Sequence, residues 1–463
     1  MFYGREKELE FLNKKYKSKK SELIIMYGRR RIGKTELLRF FSEDIKNHIF
    51  YVARECTDKE QLESFSKILL SNKKLSYINS FSEWENVFKY IAAESKNETK
   101  NLIIMDEFPY IVYSNKTVLS ILQNFWDLIH KNSNLMIILC GSAMSFIEKE
   151  ILSEKAPLYG RATGIYRLNQ MDFLTASLFF KDLSSEEIIT IYSILGGVPH
   201  YLSQFDPDIS IEENIKDNIL SKGCVLYSEI EFLIKQELRE TSRYYTIIEA
   251  IAFGNTKLND IHTKTQIDSR QVSVYLSNLI ELNIIEREYP IDYKMKKKIN
   301  QQSGLYKLKD NFFRFYFRFV FPYLSELEIG NIDVIYNNVI FPNINEFVSI
   351  PFEEVCIQYL QQKNIIFPVQ FTKIGRWWNK VTEIDIVAMN LNKVVLVGEC
   401  KWKNSKMDLN EYKKIIEKLS LINADLSQIY VYLFSKSGFE KSLIDFSKSS
   451  EKIKLISISD LMS

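Results

Sequence analysis

The chain has 463 residues, 46% apolar and 26% charged, with 61 Lys and Arg against 59 Asp and Glu for a net charge of +2. That balance creates no chain-wide field to draw in nucleic acid or an anionic membrane, so any basic surface has to be local; the length suits about three domains. Five scattered cysteines (Cys56, Cys140, Cys224, Cys356, Cys400) form no CxxC pair, and His48, His130, His200 and His262 lack zinc-like spacing, which excludes a disulfide framework and a zinc ribbon. The amino terminus is charged at once, and no apolar run approaches the ~18 residues of a membrane helix. The expectation is a cytoplasmic protein without a membrane partner.

In chain order, Glu6 to Tyr16 places Leu9, Leu12 and Tyr16 at helical spacing. The apolar run Leu23 to Tyr27 then leads into Gly28-Arg29-Arg30-Arg31-Ile32-Gly33-Lys34-Thr35 and the helical stretch beginning Glu36-Leu37-Leu38. G-x-x-x-x-G-K-[ST] between strand and helix is a phosphate-binding loop. Its glycines let successive N–H groups face phosphates, and the helix N-terminus adds its positive end. Gly28, Arg29, Arg30, Arg31, Ile32, Gly33, Lys34, Thr35 and Glu36 are the candidate nucleotide-contacting residues. Lys34 is assigned to the β- and γ-phosphates and Thr35 to Mg²⁺. ATP and Mg²⁺ are the expected cofactors. The three arginines face either a partner or solvent.

Ile49 to Val52 reads as a short strand, with helices from about Asp58 to Ser71 and Ser82 to Glu94. Asn101-Leu102-Ile103-Ile104-Met105-Asp106-Glu107 reads as a buried parallel strand carrying acids at its carboxyl end, where α/β sheets bind ligands. Asp106 is assigned to Mg²⁺ and Glu107 to the attacking water, as base or orienter. Leu135 to Cys140 is the next strand and ends in Gly141-Ser142. Ser142 either senses the γ-phosphate or caps a helix. Arg161, in a polar turn, is either an arginine acting in catalysis, in cis or from a neighbouring subunit, or a structural surface residue. The first alternative leaves a homo-oligomer open.

Gly28 to Thr35, Met105-Asp106-Glu107-Phe108-Pro109, Cys140-Gly141-Ser142 and Leu158-Tyr159-Gly160-Arg161 together resemble the archaeal-type ATPase family, an AAA-like branch close to the signalling NTPases called STAND. Leu195-Gly196-Gly197-Val198-Pro199-His200-Tyr201-Leu202 is similar to that family's lid motif, and the resemblance implies that Pro199 lies near the adenine. From the residues alone, this stretch is a turn between two helical segments.

From Met171 to about Glu240 the pattern is helical, the expected lid. Thr256 to Thr263 and Arg270 to Leu282 give two helices around a turn at Ile267-Asp268-Ser269. Val274, Leu276, Leu279 and Ile280 are expected inward, and Ser269, Arg270, Gln271 and Ser273 outward. With Ile284 to Glu288 and Gly304 to Leu308 as a two-stranded wing and Lys294 to Lys298 between them, this is a winged-helix pattern whose partner is DNA or a protein. The aromatic run Asp310 to Phe319 reads as a buried tie helix.

Phe352 to Leu360 forms a helix carrying Glu353, and Glu383-Ile384-Asp385-Ile386-Val387-Ala388 precedes Val394 to Trp402. A helix from Leu409 to Leu419 and a strand at Ile429 to Leu433 complete an α/β pattern. Asp385 followed by Glu399-x-Lys401 has the spacing of a PD-(D/E)xK nuclease site. Residues two apart on a strand share a face. Asp385 and Glu399 are assigned to Mg²⁺ with Glu353 as the further acid, and Lys401 to the phosphate or the nucleophile. The family carries a restriction-endonuclease-like domain at this end with similar Arg-Trp-Trp, Glu-Ile-Asp-Ile-Val and Gly-Glu-Cys-Lys-Trp segments, so the resemblance spans nearly the whole chain.

The expected fold is α/β throughout. It comprises a P-loop NTPase core (1–170), a helical lid (171–240), a winged helix-turn-helix domain (241–325) and a restriction-endonuclease-like domain (340–463). The expected function is a Mg²⁺-dependent ATPase controlling a DNA-binding module and a DNA nuclease. The alternative is a signalling switch whose last domain docks without cutting.

Overall fold

The structure is a computed structural model describing residues 2–71, 80–95, 99–130, 133–292, 304–364, 368–422 and 428–462. The chain divides into two compact units, one of residues 1–170 with 198–200 and one of 171–197 with 201–463.

The first unit is built on a parallel five-stranded sheet: β1 (Glu22–Tyr27), β2 (His48–Val52), β3 (Asn101–Asp106), β4 (Leu135–Gly141) and β5 (Gly164–Arg167), in the order β2-β3-β4-β1-β5. Successive side chains of β1 go to opposite faces. Leu23, Ile25 and Tyr27 join one buried cluster with Ile103, Ile137 and Phe88; Ile24 and Met26 join another with Leu37, Ile104 and Ile138. Both faces are covered, which is why these strands are continuous apolar runs. β1, β3 and β4 lie side by side, so the loops after them converge at one edge of the sheet. β5 escapes the sequence reading: only Ile165 and Tyr166 are apolar in it, and it pairs with β1 alone at the sheet edge.

In the second unit, helices Phe173–Ser177, Ser185–Leu195, Ile211–Ile215 and Val225–Glu237 come first. Helices Thr241–Ala252, Leu258–Thr265 and Ser269–Glu281 then lead into an antiparallel pair, β6 (Ile285–Glu288) and β7 (Leu305–Leu308). The inward face of Ser269–Glu281 is Val272, Leu276 and Leu279, with Val274 60% and Ile280 38% exposed. Positions 272, 276 and 279 keep the four- and three-residue steps of one helical stripe; Val274 falls off it, and Ile280, one turn after Leu276, sits at its partly exposed margin. Arg270, Gln271 and Ser273 are exposed, as expected. The lysine run at 294–298 lies outside the described residues.

Helix Asn311–Phe319 is buried on all sides, with Phe312, Phe313, Phe315 and Phe317 fully inaccessible. Helix Ile344–Lys363 precedes a second sheet of β8 (Lys373–Trp378), β9 (Glu383–Asn390), β10 (Lys393–Lys401), β11 (Tyr430–Ser435) and β12 (Ile453–Ser457), ordered β12-β11-β10-β9-β8. β8, β9 and β10 run antiparallel as a meander, and β10, β11 and β12 run parallel. Helix Leu409–Leu419, which bridges β10 to β11, buries Ile415 and Leu419 in the core with Val397 and Leu433.

Candidate functional sites

Gly28 lies against the chain after β5. A Cβ there would stand 2.4 Å from the Leu168 carbonyl oxygen and 2.6 Å from Ile32 Cδ1, so only glycine fits. Arg31 and Gly33 take left-handed φ values of 71° and 85°, which curl the loop before helix Lys34–Ser42 starts. Lys34 is 6% exposed, and its Nζ donates to the carbonyls of Gly28 (2.9 Å) and Arg29 (3.0 Å). Burial pulls its pKa down, and Cys140, Glu107 and Asp106 oppose that shift. Thr35 Oγ1 donates to Asp106 Oδ2 at 2.6 Å, joining the loop to the end of β3. Ile32 is buried, Glu36 lies exposed in the helix's first turn, and Arg30 Nη2 donates to Tyr110 OH at 3.4 Å. Pro199 belongs with this unit, and its Cγ lies 3.8 Å from where a Gly33 Cβ would stand.

Asp106 is fully buried and accepts the Glu107 N–H at 3.0 Å. Glu107 has φ 51°, a left-handed conformation for a side-chain-bearing residue. The Ser142 hydroxyl lies 2.9 Å from each Glu107 carboxylate oxygen, and its N–H donates to Oε2 at 3.3 Å. The capping alternative for Ser142 fails: the next helix, Met144–Phe146, starts after Ala143 with no side-chain cap. Arg161 is held in a fork by Asp127, at 2.8 Å through both Nε and Nη2, and also donates to the Pro157 carbonyl. Those contacts are the structural alternative.

Sequence reasoning missed Arg5. Two left-handed residues, Gly4 and Arg5, turn the chain so that Arg5 Nη2 reaches the Ile32 carbonyl at 2.9 Å while Nη1 pairs with Glu8. The signal was there in Gly4-Arg5 directly ahead of a helix, but a bond 27 residues away leaves no local pattern.

In the second unit the β9–β10 register pairs Ile386 with Gly398, and one step further sets Asp385 opposite Glu399 on one face. Both are buried, at 8% and 5% exposure. Asp385 Oδ2 accepts the Cys400 N–H at 2.9 Å, and its pKa is pushed up by burial and by Glu399. Glu399 is gripped from both sides, by Lys401 Nζ on Oε1 (2.5 Å) and Lys418 Nζ on Oε2 (3.2 Å).

Glu353, assigned as the further acid, is engaged by an arginine. It feels the charge of Asp385, but its Oε2 lies 3.2 Å from Arg376 Nε, and burial raises its pKa. Arg376 also pairs with Glu383 at 2.9 Å. Among the described residues no three His, Cys, Asp or Glu side chains gather into a metal-binding group.

A loop of this geometry on a parallel sheet, with Thr35 and Asp106 in contact, defines a P-loop nucleoside triphosphatase. A family model described as an ATPase domain predominantly from Archaea matches residues 2–205, and one described as archaeal and bacterial proteins of unknown function matches 316–415. An uncharacterized protein of Methanocaldococcus jannaschii is 35% identical over 441 residues, covering 94% of this chain and 96% of that one. The chain therefore belongs to this family of archaeal-type ATPase-domain proteins. An ATP-binding protein of Pyrococcus abyssi is 28% identical over 242 residues, 44% of this chain and 72% of its own. The structure of a Walker-type ATPase of Pyrococcus abyssi shares the fold at TM-score 0.52 and 21% identity, over 68% of this chain and 96% of that one. Among the described residues no helix is long and apolar enough to cross a membrane.

Proposed function

We propose that the chain is a Mg²⁺-dependent ATPase whose nucleotide state controls a winged-helix DNA-binding module and a metal-dependent nuclease centre. The observation that carries the ATPase half is the 2.6 Å contact of Thr35 with buried Asp106. These are hard oxygen donors of the kind Mg²⁺ takes, and Thr35 and Asp106 would hold it. Bound there, the ion would offset charge on the phosphates. Lys34 neutralises the same phosphates, and Glu107, fixed by Ser142, orients or deprotonates water. Arg29, Arg30, Arg31, Gly28, Ile32, Gly33, Glu36 and Pro199 would line the nucleotide. Arg161, forked by Asp127, would serve the γ-phosphate, in cis or from a neighbouring subunit, on leaving that acid.

The nuclease half rests on Asp385 and Glu399, opposed on adjacent strands with Lys401 beside them. Mg²⁺ commonly uses one or two carboxylates and completes its shell with water and substrate phosphate, so this pair fits it, with Glu353 joining on leaving Arg376. The helices 241–281 and β6–β7 support the winged-helix reading, and the Lys294–Lys298 run is the sequence feature that favours DNA. A second reading, a switch with a docking domain, is favoured by Glu353 being held by Arg376. Lys34→Ala is expected to abolish ATP binding, and Glu107→Gln to retain binding with hydrolysis lost. Equal turnover of Glu107→Gln and wild type would remove Glu107 from the reaction. Incubation with Mg²⁺, ATP and labelled single-stranded, duplex and branched DNA separates the two readings. Cleavage that Asp385→Ala abolishes supports the nuclease; uncut DNA in every lane leaves the docking switch.

A further inference from the structure

Lys418 comes from the last turn of helix Leu409–Leu419, an element the PD-(D/E)xK spacing does not include. Its neighbours Ile415 and Leu419 are buried in the sheet core, at 0% and 1% exposure, so the helix is held rigidly against β10. Lys418 Nζ thereby reaches Glu399 Oε2, while Lys401 takes Oε1 of the same carboxylate. The two ammonium-bearing side chains are about a quarter exposed, at 25% and 24%, whereas Glu399 is 6% exposed. The cations therefore lie on the solvent side of a buried acid. Glu411 extends the group, 3.7 Å from Lys401 and 2.8 Å from Lys414. Glu399 and Glu411 are thus paired with three lysines (401, 414, 418).

Resting on the reading of Asp385 and Glu399 as a metal-binding pair, we propose that Lys418 is a second positioning lysine, which with Lys401 receives the phosphodiester of a nucleic-acid strand. A divalent cation drawn to Asp385 and Glu399 competes for the oxygens that both lysines hold. It also adds positive charge to the cluster. The displaced ammonium groups stay tethered by β10 and the helix, and an oxyanion is the ligand that complements them. Before metal arrives the same lysines pair with Glu399, so one pair of residues serves both states.

The test uses full-length wild type, Lys418→Gln, Lys418→Arg and Asp385→Asn. Mn²⁺ binding is followed by calorimetry, and binding of a labelled six-nucleotide single strand in Ca²⁺ by fluorescence anisotropy at several salt concentrations. Lys418→Gln is expected to bind Mn²⁺ at least as tightly as wild type, because a competitor for Glu399 is gone. It should bind the oligonucleotide about five- to tenfold more weakly, with the salt slope reduced by about one. Lys418→Arg should recover most of that loss. Unchanged oligonucleotide affinity and slope in Lys418→Gln, no rescue by Lys418→Arg, or no binding of the strand by wild type each overturns the proposal. Equal Mn²⁺ binding by wild type and Asp385→Asn instead defeats the metal-pair reading on which it rests.

Discussion

Glu107 is set by two constraints. Its backbone holds a left-handed φ of 51°, a conformation that costs of order 1 kcal/mol for a side-chain-bearing residue, and its carboxylate is received by the Ser142 hydroxyl and N–H. Ser142 thus fixes the position of the Glu107 carboxylate. Ser142→Ala is expected to lower kcat for ATP about tenfold with KM near wild type, because it loosens the acid without touching the phosphate loop. Steady-state kinetics decide, and an unchanged kcat or a large KM shift would assign Ser142 elsewhere. Arg5 acts from behind the loop. Arg5→Ala leaves the buried Ile32 carbonyl without its donor, a loss of about 1–3 kcal/mol, and should weaken ATP binding about tenfold in a titration. The phosphate loop was legible because its chemistry is local, eight residues in one spacing. Arg5, Ser142 bonded to Glu107, and Lys418 on Glu399 were not, since each depends on chain segments brought together only by folding.

Strands were legible where the sequence is continuously apolar or aromatic, as in buried β1, β3 and β4 and in edge strand β2. β1, β3 and β4 are inaccessible over nearly all their length and appear in sequence as apolar runs. β5, β8 and β12 are sheet-edge strands of mixed polarity, and the sequence pattern did not mark them as strands. Helix Asn311–Phe319 shows the opposite limit, since its phenylalanines face every direction and all are covered. Phe315 lies with ring centroids 5.3 Å from Phe319 and 5.6 Å from Phe347. Phe315→Ala is therefore expected to cost about 3–5 kcal/mol in chemical denaturation, through lost transfer energy and an unfilled cavity. Phe341, 62% exposed, supplies the control and should change stability by less than about 0.5 kcal/mol on truncation. A Phe315→Ala loss no larger than that of Phe341→Ala would mean that the helix is not packed as described.

For the whole molecule, the residues assigned to the nucleotide all belong to one unit, Pro199 among them, and Asp385, Glu399 and Lys401 to the other. From the residues alone Pro199 sits in a turn between helical segments, the family resemblance implies a place near the adenine, and the fold groups 198–200 with the nucleotide unit. The two chemistries should therefore be separable by single substitutions. Asp385→Asn is expected to leave ATP hydrolysis within about twofold of wild type, and Lys34→Ala to leave Mn²⁺ binding at the second unit intact. Control of one unit by the other makes a further demand, because coupling between binding sites is reciprocal. In Glu107→Gln, which should hold ATP without consuming it, DNA affinity is measured with ATP and with no nucleotide, and ATP affinity with and without DNA. The two ratios should be equal and differ from one by about five- to a hundredfold, the range of a coupling of 1–3 kcal/mol. Ratios of one in both directions, with ATP and DNA each binding tightly, would mean that the units share a chain but not a mechanism.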